Sequence, residues 1–162
     1  MITIRDWDEA YLNELIKSGE KESLTLEYKA SSSLKNQDKE KNELAKDVSA
    51  FANSAGGVIL YGILEDKHVP TAIDSGVDRN AITKEWLESI VKSHIHPLMD
   101  GLIVKQIDLP TKGANQVAYA IDVPQATSAL FRSKRAVLIS FSHRSRSGKS
   151  LGICFGNSMC AS

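Results

Sequence analysis

The segment "FANSAGGVILYG", residues 51–62, carries the strongest fold signal in this sequence. It joins the end of an amphipathic helix to an apolar strand through Gly56 and Gly57. Glycine adopts the positive φ that a helix end commonly needs without steric cost, so the pattern predicts a sharp reversal between a packed helix and a buried strand. Because a glycine pair is also a common turn signal, a purely structural role is the alternative to a functional one.

The segments on either side of this junction complete a strand–helix–strand unit. Leu24, Leu26 and Tyr28 alternate with polar residues, which is the period of a strand with one buried face. The apolar stripe of the following helix comprises Leu44, Ala45, Val48, Phe51 and Ala52. Residues 58–64 are apolar on both faces, as expected for a central strand. The unit is therefore predicted to be a βαβ crossover with parallel strands.

The remaining segments predict a helix before this unit, and a helix and two strands after it. Residues 7–17 and 79–94 have helical apolar spacing. Residues 102–109 and 116–123 have strand patterns, and the loop between them predicts a hairpin with Lys112 at its tip. The expected fold is α/β, in the α+β sense, with a four-stranded mixed sheet, two main helices and an added N-terminal helix.

Composition is typical of a soluble globular protein. Of the 162 residues, 42% are hydrophobic and 25% are charged, which argues against a disordered or fibrous chain. No apolar run approaches the roughly 18 residues of a membrane span, and the first residues carry acids where a signal peptide has a basic region. We expect a cytoplasmic protein with no membrane partner. Cys154 and Cys160 lack partners at zinc-ligand spacing and are expected to be free thiols.

Charge is balanced over the whole chain but uneven along it. Twenty basic residues match 20 acidic ones, yet residues 129–162 contain basic residues and no acid. This division predicts one folded domain with an excess of acids over residues 1–128 and a basic Ser/Arg-rich tail over residues 129–162. The tail is interpreted either as an electrostatic contact for a polyanion or as a truncated or disordered end.

Basic side chains indicate contacts with the phosphate backbone of a nucleic acid. A hairpin with a basic tip suits a nucleic-acid groove, and Lys and Arg contacts with phosphate give sequence-independent affinity that falls with salt. Aromatic residues make up only 6% of the chain, so a base-stacking surface is not indicated. The expected nucleic-acid-binding residues are Lys29, Lys46, Asn53, Lys112, Arg132, Lys134 and Arg135.

Carboxylates at the strand ends indicate a second kind of site. If the strands of the βαβ unit are parallel, their carboxyl ends bring Glu27 near Glu65 and Asp66. Clustered carboxylates hold Mg²⁺ or Mn²⁺ for phosphodiester hydrolysis. Glu22 and Glu27 are an odd number of residues apart, so they face opposite ways unless Glu22 curls back from the turn. Solvated strand ends are the alternative explanation for these acids.

Two segments, "ESLTLEYK" and "KDVSAFANSAGGVILYGILED", resemble the Schlafen-type Alba-like (AlbA_2) domain, and the resemblance covers about residues 19–124. It implies a βαβαββ fold with a hairpin that extends towards the nucleic acid, and a role in binding DNA or RNA. Some Schlafen proteins are ribonucleases that cut tRNA and rRNA with three carboxylates. The matching positions are held here by Glu22, Glu27 and Asp66, with Glu65 as the second choice for the third.

The expected function is therefore nucleic-acid binding, mainly through the phosphate backbone and without a cofactor, in a bacterial transcriptional regulator or defence protein. We expect binding rather than catalysis, with DNA or structured RNA as the partner and homodimer formation left open. One alternative is a metal-dependent endoribonuclease that uses Glu22, Glu27 and Asp66 with Mg²⁺ or Mn²⁺. The other is a protein-interaction module whose surface acids are inert.

Overall fold

A computed structural model of the chain describes residues 3–127 and 130–133. The helices are α1 (Glu9–Ser18), α2 (Asp38–Asn53) and α3 (Lys84–His94). The strands are β1 (Leu26–Lys29), β2 (Gly57–Tyr61), β3 (Ile63–Asp66), β4 (Val69–Ile73), β5 (Val77–Asp78), β6 (Ile95–His96), β7 (Ile103–Asp108), β8 (Gln116–Val123) and β9 (Arg132–Ser133). No helix in the described part of the chain is long and apolar enough to cross a membrane.

The predicted βαβ unit is formed by β1, α2 and β2. The two strands are parallel, with Leu26 opposite Val58 and Lys29 opposite Tyr61. The face of α2 that packs on the sheet is apolar, because residues at i, i+3 and i+4 lie on one side of a helix. Its buried residues are Leu44, Ala45, Val48, Ser49 and Ala52. The parallel arrangement predicted from the sequence is confirmed.

The strand β8 lies at the centre of a five-stranded mixed sheet. It pairs antiparallel with β2, β5 and β7. Val117 of β8 pairs with Val77 of β5 on one side and with Asp108 of β7 on the other. β5 therefore pairs with the start of β8, on the same side as β2, which pairs further along the strand. The mixed sheet and the β7–β8 hairpin are confirmed, and the two-residue β5 is added to the four predicted strands.

The apolar run over residues 58–64 forms two strands, whereas the sequence predicted one. β2 ends at Tyr61, and Gly62 turns the chain at a φ of 105° into β3. Glycine is favoured there because other residues rarely adopt this φ, and a Cβ would also lie only 3.0 Å from the Cβ of Ala118. β3 then pairs antiparallel with β4, so the end of the predicted strand belongs to a separate hairpin.

Two predicted elements begin later than their patterns indicated. Leu24 was expected to be buried, but it is 78% exposed, because Ser23 forms a turn in which its amide donates to the Leu26 carbonyl at 2.9 Å. The second long helix, expected from residue 79, begins at Lys84. The Thr83 hydroxyl caps its first turn by accepting a hydrogen bond from a backbone amide of that turn.

The main sheet separates two apolar cores. On one face it packs against α2 and α3, and this core includes Ile59, Tyr119 and Ile121. On the other face it packs against α1 and the β3–β4 hairpin, and this core includes Leu12 and Leu60. Burial of apolar surface on both faces is the main stabilising contribution to such a layered domain.

The junction between α2 and β2 needs glycine at both of its last two positions. Gly56 and Gly57 have φ values of 71° and 132°. A Cβ at Gly57 would lie 2.3 Å from the Thr25 carbonyl oxygen, and one at Gly56 would lie 2.7 Å from the Val123 carbonyl oxygen. The pair therefore lets α2, β1 and β8 approach each other closely at this end of the sheet.

Candidate functional site

Glu22 curls back from the turn before β1 onto the edge of that strand. Its Oε1 accepts a hydrogen bond from the backbone amide of Tyr28 at 3.0 Å, and its Oε2 lies 2.5 Å from His68 Nδ1. Only 17% of the Glu22 side chain is exposed. The carboxylate thus satisfies a strand-edge N–H group while its second oxygen faces the β3–β4 hairpin.

The turn between β3 and β4 places His68 beside this carboxylate. Lys67 and His68 have φ values of 50° and 67°, in the left-handed region that residues other than glycine seldom adopt. The His68 amide donates to Glu65 Oε2 at 2.7 Å, and its carbonyl accepts from the Glu22 amide at 2.9 Å. The hydrogen bond and charge of Glu22, with a smaller effect from Glu65, raise the pKa of His68.

Glu22, Glu65 and His68 form a cluster of metal-ligating groups. One ligand atom from each lies within 4.8 Å of the others. An open cleft of about 430 Å³ adjoins the cluster and is lined by Glu22, Ser23, Leu26, Glu27 and His68. Lys21 and Lys67, the sequence neighbours of two cluster residues, are exposed and form no ion pair within the described part of the chain.

The other carboxylates predicted for a metal site lie outside this cluster. Glu27 contacts Lys29 Nζ at 2.8 Å. Asp66 is exposed at the end of β3, opposite Val69. The structure therefore brings Glu22 together with Glu65 and His68, and the three predicted acids do not share one ligand cluster among the described residues.

Lys29 lies between two carboxylates on the side of the sheet covered by α2. Its ammonium is 2.8 Å from Glu27 and 3.1 Å from Asp47 of α2. Burial lowers the pKa of Lys29, but the hydrogen bonds and negative charges of these two carboxylates together outweigh burial, so the pKa is raised. Burial also raises the pKa of Asp47, against the opposing effect of Lys29. The positive charge of Lys29 is thus compensated within the protein.

The other predicted nucleic-acid-binding residues of α2 have different surroundings. Lys46 is 70% exposed and lies 3.5 Å from Glu43. Asn53 holds the segment that leads into β9, because its Nδ2 donates to the Phe131 carbonyl and its Oδ1 accepts from the Phe131 amide, both at 2.8 Å. Its side-chain amide is therefore engaged with the protein backbone.

The remaining predicted cations lie far apart. Lys112 is exposed in the β7–β8 loop, next to the Gln116 end of β8. Arg132 is exposed in β9, in the segment held by Asn53 at the Val123 end of β8. The eight residues of β8 span about 25 Å. Lys134 and Arg135 lie outside the described residues, as do the two cysteines.

Comparisons with known proteins bear on these observations. Residues 22–150 match the family model described as "Schlafen, AlbA_2", past the domain boundary predicted at residue 128. A crystal structure of the DIP2311 protein from Corynebacterium diphtheriae is similar at 18% identity and a TM-score of 0.45. The similarity covers 78% of this chain and 23% of that protein. Comparison with curated proteins finds no match. Since the family model covers most of its length, this chain belongs to the Schlafen AlbA_2 family, and that membership suggests a nucleic-acid-binding type of domain.

Proposed function

We propose that this domain binds nucleic acid mainly through the phosphate backbone, as part of a bacterial transcriptional regulator or defence protein. Family membership supports the class of partner. The proposed contact with phosphate rests on the position of Lys112. This residue is exposed at the tip of the β7–β8 hairpin and forms no ion pair with any described residue. An unpaired ammonium on an exposed loop is free to contact phosphate oxygens.

The loop that carries Lys112 is held in place by its own backbone and by α1. The amides of Lys112 and Gly113 both donate to the Leu109 carbonyl, at 2.9 Å and 3.2 Å. The Thr111 hydroxyl donates to the Glu9 carboxylate at the start of α1. Because these contacts order the loop before any partner arrives, less conformational entropy is lost on binding.

The distribution of charge sets the character of the binding. The chain has a formal net charge of zero, and Lys29 is compensated by two carboxylates. Local cations such as Lys112 and Lys46 must therefore supply the attraction. Such contacts act over about 10 Å at 0.1 M salt, so we expect modest affinity that falls as salt rises, with a slope set by the small number of phosphate contacts.

Gel-shift titrations of the full chain with duplex DNA and with structured RNA test this proposal. We expect binding at low salt that weakens with salt, and weaker binding by Lys112→Ala on every sequence tried. Lys84→Ala is the matched control, because Lys84 is a surface lysine of α3 that lies 3.9 Å from Glu88. Absence of any shift at low salt, or equal losses in the two variants, contradicts the proposal.

A metal-dependent endoribonuclease is the second candidate, and the cluster of Glu22, Glu65 and His68 is the observation that favours it. Incubation with tRNA and Mn²⁺ should then give cleavage that Glu22→Gln abolishes. Glu14→Gln, which alters an exposed acid of α1, is the control and should cleave as the unmodified protein does. No cleavage by the unmodified protein, or equal cleavage by Glu22→Gln, eliminates this candidate. A protein-interaction module would show neither nucleic-acid binding nor cleavage.

A further inference from the structure

The three-carboxylate metal site implied by the family resemblance does not fit the described residues. Glu27, its second member, lies 2.8 Å from the Lys29 ammonium, which competes with any cation for that carboxylate. Asp66, its third member, is absent from the group of described residues whose ligand atoms come together. The ligand atoms close to Glu22 belong instead to Glu65 and His68.

We propose that Glu22, Glu65 and His68 bind a later first-row divalent metal ion, such as Zn²⁺ or Co²⁺, in preference to Mg²⁺. The donor set is two carboxylates and one imidazole. Mg²⁺ prefers oxygen ligands alone and keeps most of its waters, whereas imidazole nitrogen favours the later first-row ions. The exchange of a carboxylate for His68 therefore changes which ion the site selects.

The donors are held near each other by contacts that need no ion. The Tyr28 amide orients the Glu22 carboxylate at 3.0 Å, as outer-shell hydrogen bonds orient metal ligands elsewhere. The backbone of His68 contacts both acids, through its amide to Glu65 at 2.7 Å and through its carbonyl to the Glu22 amide at 2.9 Å. An ion must displace the 2.5 Å contact between Glu22 Oε2 and His68 Nδ1, but the backbone contacts that bring the three residues together remain in place.

One side of the cluster is open to solvent. The side chain of His68 is 76% exposed, and the adjoining cleft of about 430 Å³ has Glu22 and His68 in its lining. Three protein ligands with a free side are typical of zinc sites that keep a position for water or for an oxygen of another molecule. Ion binding here does not depend on nucleic-acid binding, so this proposal and the proposed binding function fail separately.

Calorimetric titration of the chelator-treated full chain with Zn²⁺, Co²⁺ and Mg²⁺ tests the assignment. We expect tighter binding of Zn²⁺ and Co²⁺ than of Mg²⁺, and at least a roughly 10-fold loss of Co²⁺ affinity in His68→Gln and in Glu65→Gln. The Co²⁺ absorption spectrum reports directly on the loss of a nitrogen ligand. Thermal denaturation of each variant shows whether the fold is retained.

Three control variants sharpen the comparison. Glu27→Gln and Asp66→Asn should keep Co²⁺ affinity within about twofold, because neither residue belongs to the cluster. His94→Gln, which changes a histidine at the end of α3, should do the same. The proposal is overturned if no ion binds, if Mg²⁺ binds as tightly as Zn²⁺, or if Glu27→Gln and Asp66→Asn lose the ion while His68→Gln retains it.

Discussion

The Asp47 carboxylate of α2 lies 3.1 Å from the Lys29 ammonium of β1. Glu27 contacts the same ammonium from β1, so one lysine links the first strand to the crossover helix. The side chains of Lys29 and Asp47 are only 24% and 18% exposed. Charges taken this far out of water destabilise a fold when a partner is removed. Lys29 therefore stabilises the βαβ unit, a role additional to the phosphate contact expected from the sequence.

Lys29→Ala should lower the free energy of unfolding by about 1–3 kcal/mol, because two partly buried carboxylates lose their cation. Urea denaturation at neutral pH measures the change. Lys46→Ala is the control and should cost less than about 1 kcal/mol, since Lys46 is 70% exposed and pairs loosely with Glu43. Equal costs for the two variants would show that the Lys29 pairs stabilise no more than a surface contact.

Gly57→Ala should destabilise the protein by about 3 kcal/mol or more. The added Cβ would lie 2.3 Å from the Thr25 carbonyl oxygen, and alanine would also have to adopt an unfavourable φ. Gly19→Ala separates the two effects. Gly19 has a φ of 62°, but the nearest atom to its Cβ position is 3.9 Å away, on Val69. We expect it to cost about 1–2 kcal/mol. Similar unfolding free energies for both variants would contradict the close approach at the junction.

Alkaline pH should destabilise the fold through its tyrosines. Burial, followed by nearby carboxylates, raises the pKa of Tyr28 and of Tyr119 to about 12 from an ordinary value of 10.0. The folded state therefore favours the neutral phenol, so this stabilisation is complete below pH 10 and is lost as pH rises to about 12. Absorbance at 295 nm should show these tyrosines ionising above pH 11 when folded and near pH 10 in guanidinium. Ionisation near pH 10 in the folded protein would contradict the burial.

Asn53→Ala should release the segment leading into β9, because both hydrogen bonds of the side-chain amide go to the backbone of Phe131. The measurement is hydrogen exchange at the Phe131 amide, which should lose its protection. Asn53→Asp keeps the acceptor oxygen and should retain most of that protection. Unchanged exchange in the alanine variant would mean that other contacts hold this segment.

Local periodicity was sufficient to predict much of the fold. The alternation around Tyr28, the helical stripe of α2 and the loop before Gln116 are short-range signals, and each element exists as predicted. The β3–β4 hairpin was missed because the apolar run through Gly62 has no obvious break. Its two-residue turn also lacks the Asn or Gly that such turns favour, since Lys67 and His68 occupy it.

The candidate site was only partly predictable for the same reason. Glu22 was named from the family resemblance, and its odd spacing from Glu27 left open whether it curls back from the turn. In the structure it does, onto the Tyr28 amide. His68 lies 46 residues from Glu22 in the chain, and no local pattern connects them. Once the hairpin is known, its turn brings both Glu65 and His68 to that edge. If the predicted strand had ended at Gly62, the sequence would have indicated this hairpin, and with it the proximity of Glu65 and His68 to Glu22.

The central claim is that cations on this domain, led by Lys112, contact the phosphate backbone. Fluorescence anisotropy with a short DNA duplex over a series of salt concentrations tests it most directly. We expect the logarithm of the binding constant to fall linearly with the logarithm of the salt concentration, and Lys112→Ala to reduce that slope by about 1. A slope that is zero, or that is identical for the unmodified protein and Lys112→Ala, would contradict the account.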